Sequence, residues 1–400
     1  MRKAIVLVID GWSAGFLSSY GTAWLETPAL NQLAAESILL EHATVETLDL
    51  DRQYRAWFRA GHPLAPADGY DLAAQLAQVG APLHLLTDEP LLRDAAGAFD
   101  LASAEFLECD SPQIAASEAE TELARMFALV CAAIESDNGD ELIWAHARGM
   151  AGAWDAPLGY RRMLAEEEDP EPPNCAAPPC SRFDGKLEPD ELLGLTQAYG
   201  GQVLLLDTLL EELLTTIGAL PVDRQPLLIV TSSGGLPLGL HQQVGRSAAL
   251  PPAIYSELTQ APLMIRLPGA AQGLTRVQGL AASSDVPATL IDWFQAAPPD
   301  RQVAAGRSLL QLDLPPRDRT LSVWQDELYL RTWAWGARVF GERQCQLFGK
   351  PDDRWDVNDV ADRCRQITPL AVETAIDTRD ALLQGAPPPA LPSELRQGLS

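Results

Sequence analysis

Basic residues are scarce in this 400-residue chain: 29 Lys and Arg stand against 55 Asp and Glu, a formal charge of −26. Nucleic acids and anionic membrane surfaces are held through clustered Lys and Arg, so this balance argues against both as partners. Paired cysteine motifs are missing as well. Cys109, Cys131, Cys175, Cys180, Cys345 and Cys364 are scattered and form no CxxC, so neither a zinc site nor a disulfide framework is expected. No apolar run approaches membrane-spanning length. The run Ala4 to Ile9 behind the basic start is shorter than the apolar region of a secretion signal and ends at Asp10-Gly11. Cytoplasmic residence is the expectation.

What is present fits a soluble globular protein, with 47% hydrophobic and 21% charged residues. Four hundred residues exceed one small core and suit a large α/β domain with a smaller C-terminal one. Ala4 to Ile9, Leu227 to Val230 and Pro262 to Leu267 read as buried strands, the first ending at Asp10, and Leu83 to Thr87 and Leu142 to Ala145 as further strands. Thr27 reads as the N-cap of a helix that carries helical spacing as far as Ile38. Asp71 to Val79, Glu118 to Glu135, Pro189 to Leu214 and Asp285 to Phe294 read as helices, and the acidic, Pro-rich stretch Ala165 to Arg182 as an exposed loop. From Leu321 to Phe340, apolar and polar residues alternate, which predicts a small antiparallel sheet with one face covered. A helix over Thr368 to Leu383 follows. The expected division is 1–312, 313–385 and a disordered tail over 386–400.

The stretch around which the rest is organised is Pro226 to Arg246. Its strand ends at Thr231-Ser232-Ser233-Gly234-Gly235, and ligands of parallel sheets sit at the carboxyl ends of strands. Thr231, Ser232, Gly235, Gly239, His241 and Gly245 fit T-S-D-H-G-x-x-x-G-x-H-x-x-x-G-K, the metal-binding segment of sulfatases, with Arg246 at the Lys position. Asp10, Leu17, Tyr20 and Gly21 fit the opening D-D-x-R-x-D-x-L-G-C-Y-G, and TPALNQLAAES from Thr27 fits T-P-N-L-D-x-L-A-x-E-G. Tyr199, Val203 and Asp207, then GRSLL at 306–310, and finally Leu347, Asp353, Asn358 and Ala361 match further markers in family order. The chain thus resembles the sulfatase family of the alkaline phosphatase-like superfamily over roughly Ala4 to Ala361. The resemblance implies a three-layer α/β sandwich with a mostly parallel central sheet and a small C-terminal antiparallel subdomain.

It also implies a site, and here the match thins. Of the four main metal ligands of the family only Asp10 is retained; the other positions are Gly11, Ser233 and Gly234. One carboxylate does not outcompete water for Ca²⁺, so no cofactor is expected and Asp10 is a vestigial metal position. The nucleophile position, Cys or Ser in members that carry formylglycine, is Asp51. The remaining vestigial catalytic positions are Arg55, His241 and Arg246. Asp10, Asp51, Arg55 and Ser233 are expected at one end of the sheet, with the carboxylates neutralising the arginines. Two functions follow. One is a degenerate sulfatase relative, a pseudoenzyme acting as a binding or scaffold protein. The other is an active sulfate- or phosphate-ester hydrolase with an atypical site. The implied ligand class is a sulfated or phosphorylated small molecule or glycan.

Overall fold

The computed structural model describes residues 2–397 apart from 68, 110–111, 137, 184, 186, 248 and 300–305. Its centre is β1 (Lys3–Ile9), buried at every position. β1 lies between β5 (Glu141–Ala147) and β7 (Leu227–Thr231) and runs parallel to both. Both faces of these strands are covered, which is why their sequences are continuous apolar runs rather than alternating ones. Beyond β5 come β3 (Leu83–Thr87) and β4 (Ser103–Phe106), also parallel. On the other flank, β10 (Leu263–Arg266) runs antiparallel to β7 and to β2 (Ile38–Thr44), and β11 (Thr275–Ala282) pairs parallel with β2. The order is β11-β2-β10-β7-β1-β5-β3-β4, with the short β9 (Gln260–Ala261) beside β2. β6 (Ser181–Arg182) and β8 (Gln243–Val244) form a separate small pair, and two short helices, α6 (Leu158–Arg162) and α8 (Ser256–Thr259), lie in the connections.

Helices cover both faces. The apolar sides of α1 (Pro28–Ala35), α5 (Glu122–Glu135) and α7 (Pro189–Gly218) share one core with Ile5, Leu7 and Ile9. Those of α2 (Leu50–Phe58), α3 (Leu72–Gln78), α4 (Leu92–Ala96) and α9 (Asp285–Phe294) share the other with Ala4, Val6 and Val8. This is the expected three-layer arrangement. Two local expectations change. Ile38 does not continue α1 but opens β2, where it pairs with Ile265 and Thr275. Thr27 gives no side-chain cap. Asp207 of α7 caps α1 instead, accepting from the Leu30 amide at 2.7 Å. The tertiary partner supplies what the local residue was expected to give.

The C-terminal part is a four-stranded antiparallel meander: β12 (Arg319–Trp324), β13 (Glu327–Thr332), β14 (Trp335–Phe340) and β15 (Gln344–Gly349). α10 (Ile367–Gln384) covers one face, joining a core with Leu330, Ala337 and Leu347. The other face is covered too, contrary to expectation. Tyr329 packs with Val45, Ile254 and Leu258, and the Val323 amide donates to the Glu46 carbonyl at 2.9 Å. The tail is also a correction over 386–397. Leu391 and Leu395 are buried against the meander, and Thr332 Oγ1 donates to the Leu395 carbonyl at 2.8 Å. These two apolar anchors hold the tail in place; residues 398–400 lie outside the described ones. Among the described residues no helix is long and apolar enough to cross a membrane.

Candidate functional site

The parallel strands β1, β5, β7 and β3 end at one edge of the sheet, and their next residues meet there. Asp10 follows β1, and its carboxylate Oδ1 accepts from Ser233 Oγ at 2.5 Å, just beyond β7. The same oxygen accepts from an Arg246 guanidinium nitrogen, and Asp10 is 5% exposed. Burial works to raise the Asp10 pKa, but Arg246, His146 and Ser233 together hold it below its ordinary value. Asp10 and Ser233 thus converge as the sequence predicts, and a cation sits on Asp10. That cation belongs to the protein.

The backbone packs closely around Gly11 and Gly234, the other two positions at which the resemblance implies metal ligands. A Cβ on Gly11, whose φ is +72°, would stand 2.7 Å from the Ala151 nitrogen. The turn after β5 is responsible: the Met150 amide donates to the Asp10 carbonyl at 2.9 Å. Gly234 has a φ of +146°, and its Cβ would stand 3.4 Å from Arg246 Nη1 and from Leu48 Cδ2. A larger residue at either place meets left-handed backbone strain as well as neighbours.

Asp51 and Arg55 form the expected pair, with Arg55 Nε 2.7 Å from Asp51 Oδ2 across one turn of α2. Their side chains are 40% and 31% exposed. The bond from Asp51 holds the Arg55 guanidinium more firmly protonated than usual, with a smaller contribution from Asp94. An exposed i,i+4 pair of this kind contributes little to stability, typically about 0.3–0.5 kcal/mol. Among the described residues the side-chain bonds of Asp10 go to Gly11, Ser233 and Arg246, not to this pair. Leu48, just before α2, brings this element near Gly234, but the two residues bind each other.

His241 faces elsewhere. Its ring stacks on Tyr255 at 3.6 Å and 11°, and its Nε2 lies 3.0 Å from the Trp355 carbonyl. Its Nε2 is also 3.9 Å from Glu257 Oε1. Burial lowers the His241 pKa, whereas burial and then Asp356 push the Glu257 carboxyl up to about 8. The spacing is that of an ion pair, but at neutral pH both groups are uncharged. A carboxyl whose folded pKa exceeds its unfolded one contributes fully below the unfolded value of about 4.5, and the contribution is lost as pH rises towards 8. Glu257→Gln keeps the shape of the neutral acid. It is therefore expected to raise the melting temperature at about pH 8.5, by on the order of 1–3 kcal/mol of stability, and to change it little at about pH 5. Equal effects at the two pH values would contradict this assignment.

Four residues that sequence reading did not assign to the site, His146, Asp88, Cys109 and Glu122, lie at or near this edge. His146, the penultimate residue of β5, is fully buried, has no hydrogen-bond partner on either ring nitrogen among the described residues, and stands edge-on to Tyr54 at 5.3 Å. Burial lowers its pKa to about 4, against the pull of Asp10. A polar residue closing an apolar strand next to β1 was the available signal. Asp88 follows β3 and accepts from the Arg148 amide at 2.7 Å; burial raises its pKa to about 7. Asp88, Cys109 and Glu122 each bring one ligand atom within 4.8 Å of the others, a set able to hold a metal ion. The expectation of no cofactor therefore does not extend to this cluster. Glu122 also faces Arg148 at 3.5 Å. The three residues are far apart in the chain, so no spacing motif announces them.

No protein-family model matches the sequence, and no curated protein matches it. Solved structures do match. A phosphonate monoester hydrolase of Agrobacterium radiobacter is similar with a TM-score of 0.75 at 15% identity, covering 96% of each chain. One from Silicibacter pomeroyi has a TM-score of 0.71 at 16% identity, over 96% of this chain and 95% of that one. A putative sulfatase from Bacteroides thetaiotaomicron has a TM-score of 0.73 at 13% identity, over 99% and 96%. At these identities the likeness speaks for the fold and not for the chemistry, and it spans nearly the whole of each chain. Together with the parallel sheet, its two helical layers and the C-terminal meander, it shows that this chain has the sulfatase/alkaline phosphatase-like fold.

Proposed function

We propose that this is a hydrolase-like protein with a degenerate site, acting as a binding or scaffold protein rather than turning over an ester. The observation that carries the reading is the Arg246 guanidinium on Asp10. The fold suggests a divalent cation, usually Ca²⁺, at this carboxylate. The residues here do not fit one. Ca²⁺ takes six to eight oxygen ligands. Asp10 Oδ1 already accepts three hydrogen bonds, from the Gly11 amide, Ser233 and Arg246, and Gly11 and Gly234 offer no side chain. Bringing a dication beside Arg246 would also set like charges together in a buried site. The attacking group is likewise missing: Asp51 is an ion-paired carboxylate that cannot become formylglycine. A cytoplasmic location is supported by six free cysteines, since oxidising compartments favour disulfides.

The second reading is an active sulfate- or phosphate-ester hydrolase with an atypical site. Two observations favour it: the cluster Asp88, Cys109 and Glu122, and His146 with both ring nitrogens unbonded. Such a site would take its metal at the end of β3 rather than at Asp10. Metal analysis of dialysed protein separates the two. The degenerate reading expects no metal that depends on Asp10, and no sulfatase turnover from Asp51→Cys coexpressed with a formylglycine-generating enzyme. Stoichiometric metal lost in Asp88→Asn, together with aryl-ester turnover, would establish the second reading instead.

A further inference from the structure

A cavity of about 280 Å³ opens at the seam between β2, β11 and the C-terminal meander, away from Asp10. Its lining includes Arg276, Arg331, Lys350 and Arg354, four cations against the single carboxylate of Glu41. In a chain of formal charge −26 this is an unusual local balance. Two of the cations are answered. Arg276 Nε lies 2.8 Å from Glu41 Oε1, and Lys350 Nζ lies 2.6 Å from the buried Asp356. The other two are not. Arg331 is 7% exposed, and its Nη1 donates to the carbonyls of Thr332 and Trp333. Arg354 donates to the Tyr20 carbonyl, with its guanidinium 4.6 Å from the Trp355 ring. Among the described residues neither has a carboxylate within ion-pair distance. Asp356 acts on Arg331 and Glu41 on Arg354 from farther off, but each of these carboxylates is already paired, with Lys350 and with Arg276. Carbonyls satisfy the donors without adding charge, and a buried charge short of compensation is costly.

We propose that this cavity binds a phosphate- or sulfate-class oxyanion between Arg331 and Arg354. Planar guanidinium forks match the oxygen spacing of tetrahedral anions and hold them through charge-assisted bonds. Gln260 and Tyr20 also line the cavity. His42 reports on the site. It lines the cavity, and burial together with Arg331, Arg354 and Lys350 lowers its pKa to about 4, while Glu41 acts the other way. An anion among these cations removes their repulsion, so His42 gains affinity for a proton when the site fills. The anion arrives free or as the ester group of a small molecule. The cavity has volume beyond one tetrahedral ion.

The test is calorimetric titration of the full chain with inorganic phosphate, inorganic sulfate and glucose 6-phosphate. One site per chain is expected for at least one probe. Binding should weaken about tenfold or more in Arg354→Ala, the loss of one charged hydrogen bond. Arg276→Glu, an exposed position that tests the same field with the core untouched, should weaken it as well. Arg55→Ala should leave it unchanged, which separates this cavity from the sheet-edge positions. In parallel, the His42 resonance should show its pKa rising towards the ordinary histidine value on saturation. Tighter binding of glucose 6-phosphate than of phosphate assigns the ester as the ligand form, and the reverse assigns the free ion. Absence of binding by all three probes, or binding that persists in both Arg354→Ala and Arg276→Glu, would overturn the proposal.

Discussion

Asp10→Ala is expected to destabilise the protein by about 3–5 kcal/mol, read as a loss of chemical-denaturation stability at neutral pH. The reason is the partner left behind. The Asp10–Arg246 pair is buried, with side chains 8% and 18% exposed. Removing the carboxylate strands the guanidinium beside the buried His146, whose protonation it opposes. The double variant Asp10→Ala, Arg246→Met removes both charges and is expected to recover most of the loss, because buried pairs replaced by apolar groups are often neutral in stability. The pH dependence follows from the depressed Asp10 pKa. Its contribution is present above the ordinary value of 3.8 and is lost as pH falls through the lower folded value. The gap between wild type and Asp10→Ala should therefore be full at pH 7 and shrink only in acid below about pH 4. A neutral effect of Asp10→Ala, or a double variant no better than the single one, would show that the pair is not what holds this edge together.

Gly11→Asp, the change that restores a ligand by sequence, is expected to cost about 2–4 kcal/mol and to bind no Ca²⁺. Two terms add. A non-glycine residue at φ +72° is strained, and its Cβ would stand 2.7 Å from the Ala151 nitrogen, a backbone atom fixed by the turn that packs on Asp10. The neighbour cannot yield by a rotamer change. Gly234→Ala is a milder control, since its contacts at 3.3–3.4 Å include two side-chain ends, Arg246 Nη1 and Leu48 Cδ2. A Gly11→Asp protein of wild-type melting temperature that gained Ca²⁺ stabilisation would mean the site is merely short of ligands, not closed.

Much of this was legible in the sequence because it is local or repeats a family order. The apolar runs of β1 and β7 end in Asp10 and Ser233, and parallel strands must bring such ends together. The pairing of Asp51 with Arg55 is one helical turn and could be read from spacing alone. What could not be read depends on distant partners. His241 stands at a family position, yet it is turned away by Tyr255 and Trp355, which the C-terminal part holds in place. Asp207 replaces Thr27 as the cap of α1 through a helix far along the chain. β11 escaped notice because only its last three residues, Leu280 to Ala282, are buried, the rest being half-buried or exposed, with a bulge at Val277 to Leu280. The cluster of Asp88, Cys109 and Glu122 is assembled from three separate segments. In each case a contact across the fold overrode or created what local chemistry suggested.

The most direct test of a protein-supplied cation in place of a metal is turnover by the purified chain. It would be assayed on an aryl sulfate, an aryl phosphate and a phosphonate monoester, each with excess Ca²⁺, Mg²⁺ or Mn²⁺. The self-neutralised site predicts rates at the uncatalysed background for every combination, in wild type and in Asp10→Asn alike. Metal-dependent turnover in wild type that disappears in Asp10→Asn, with the variant still folded, would contradict it.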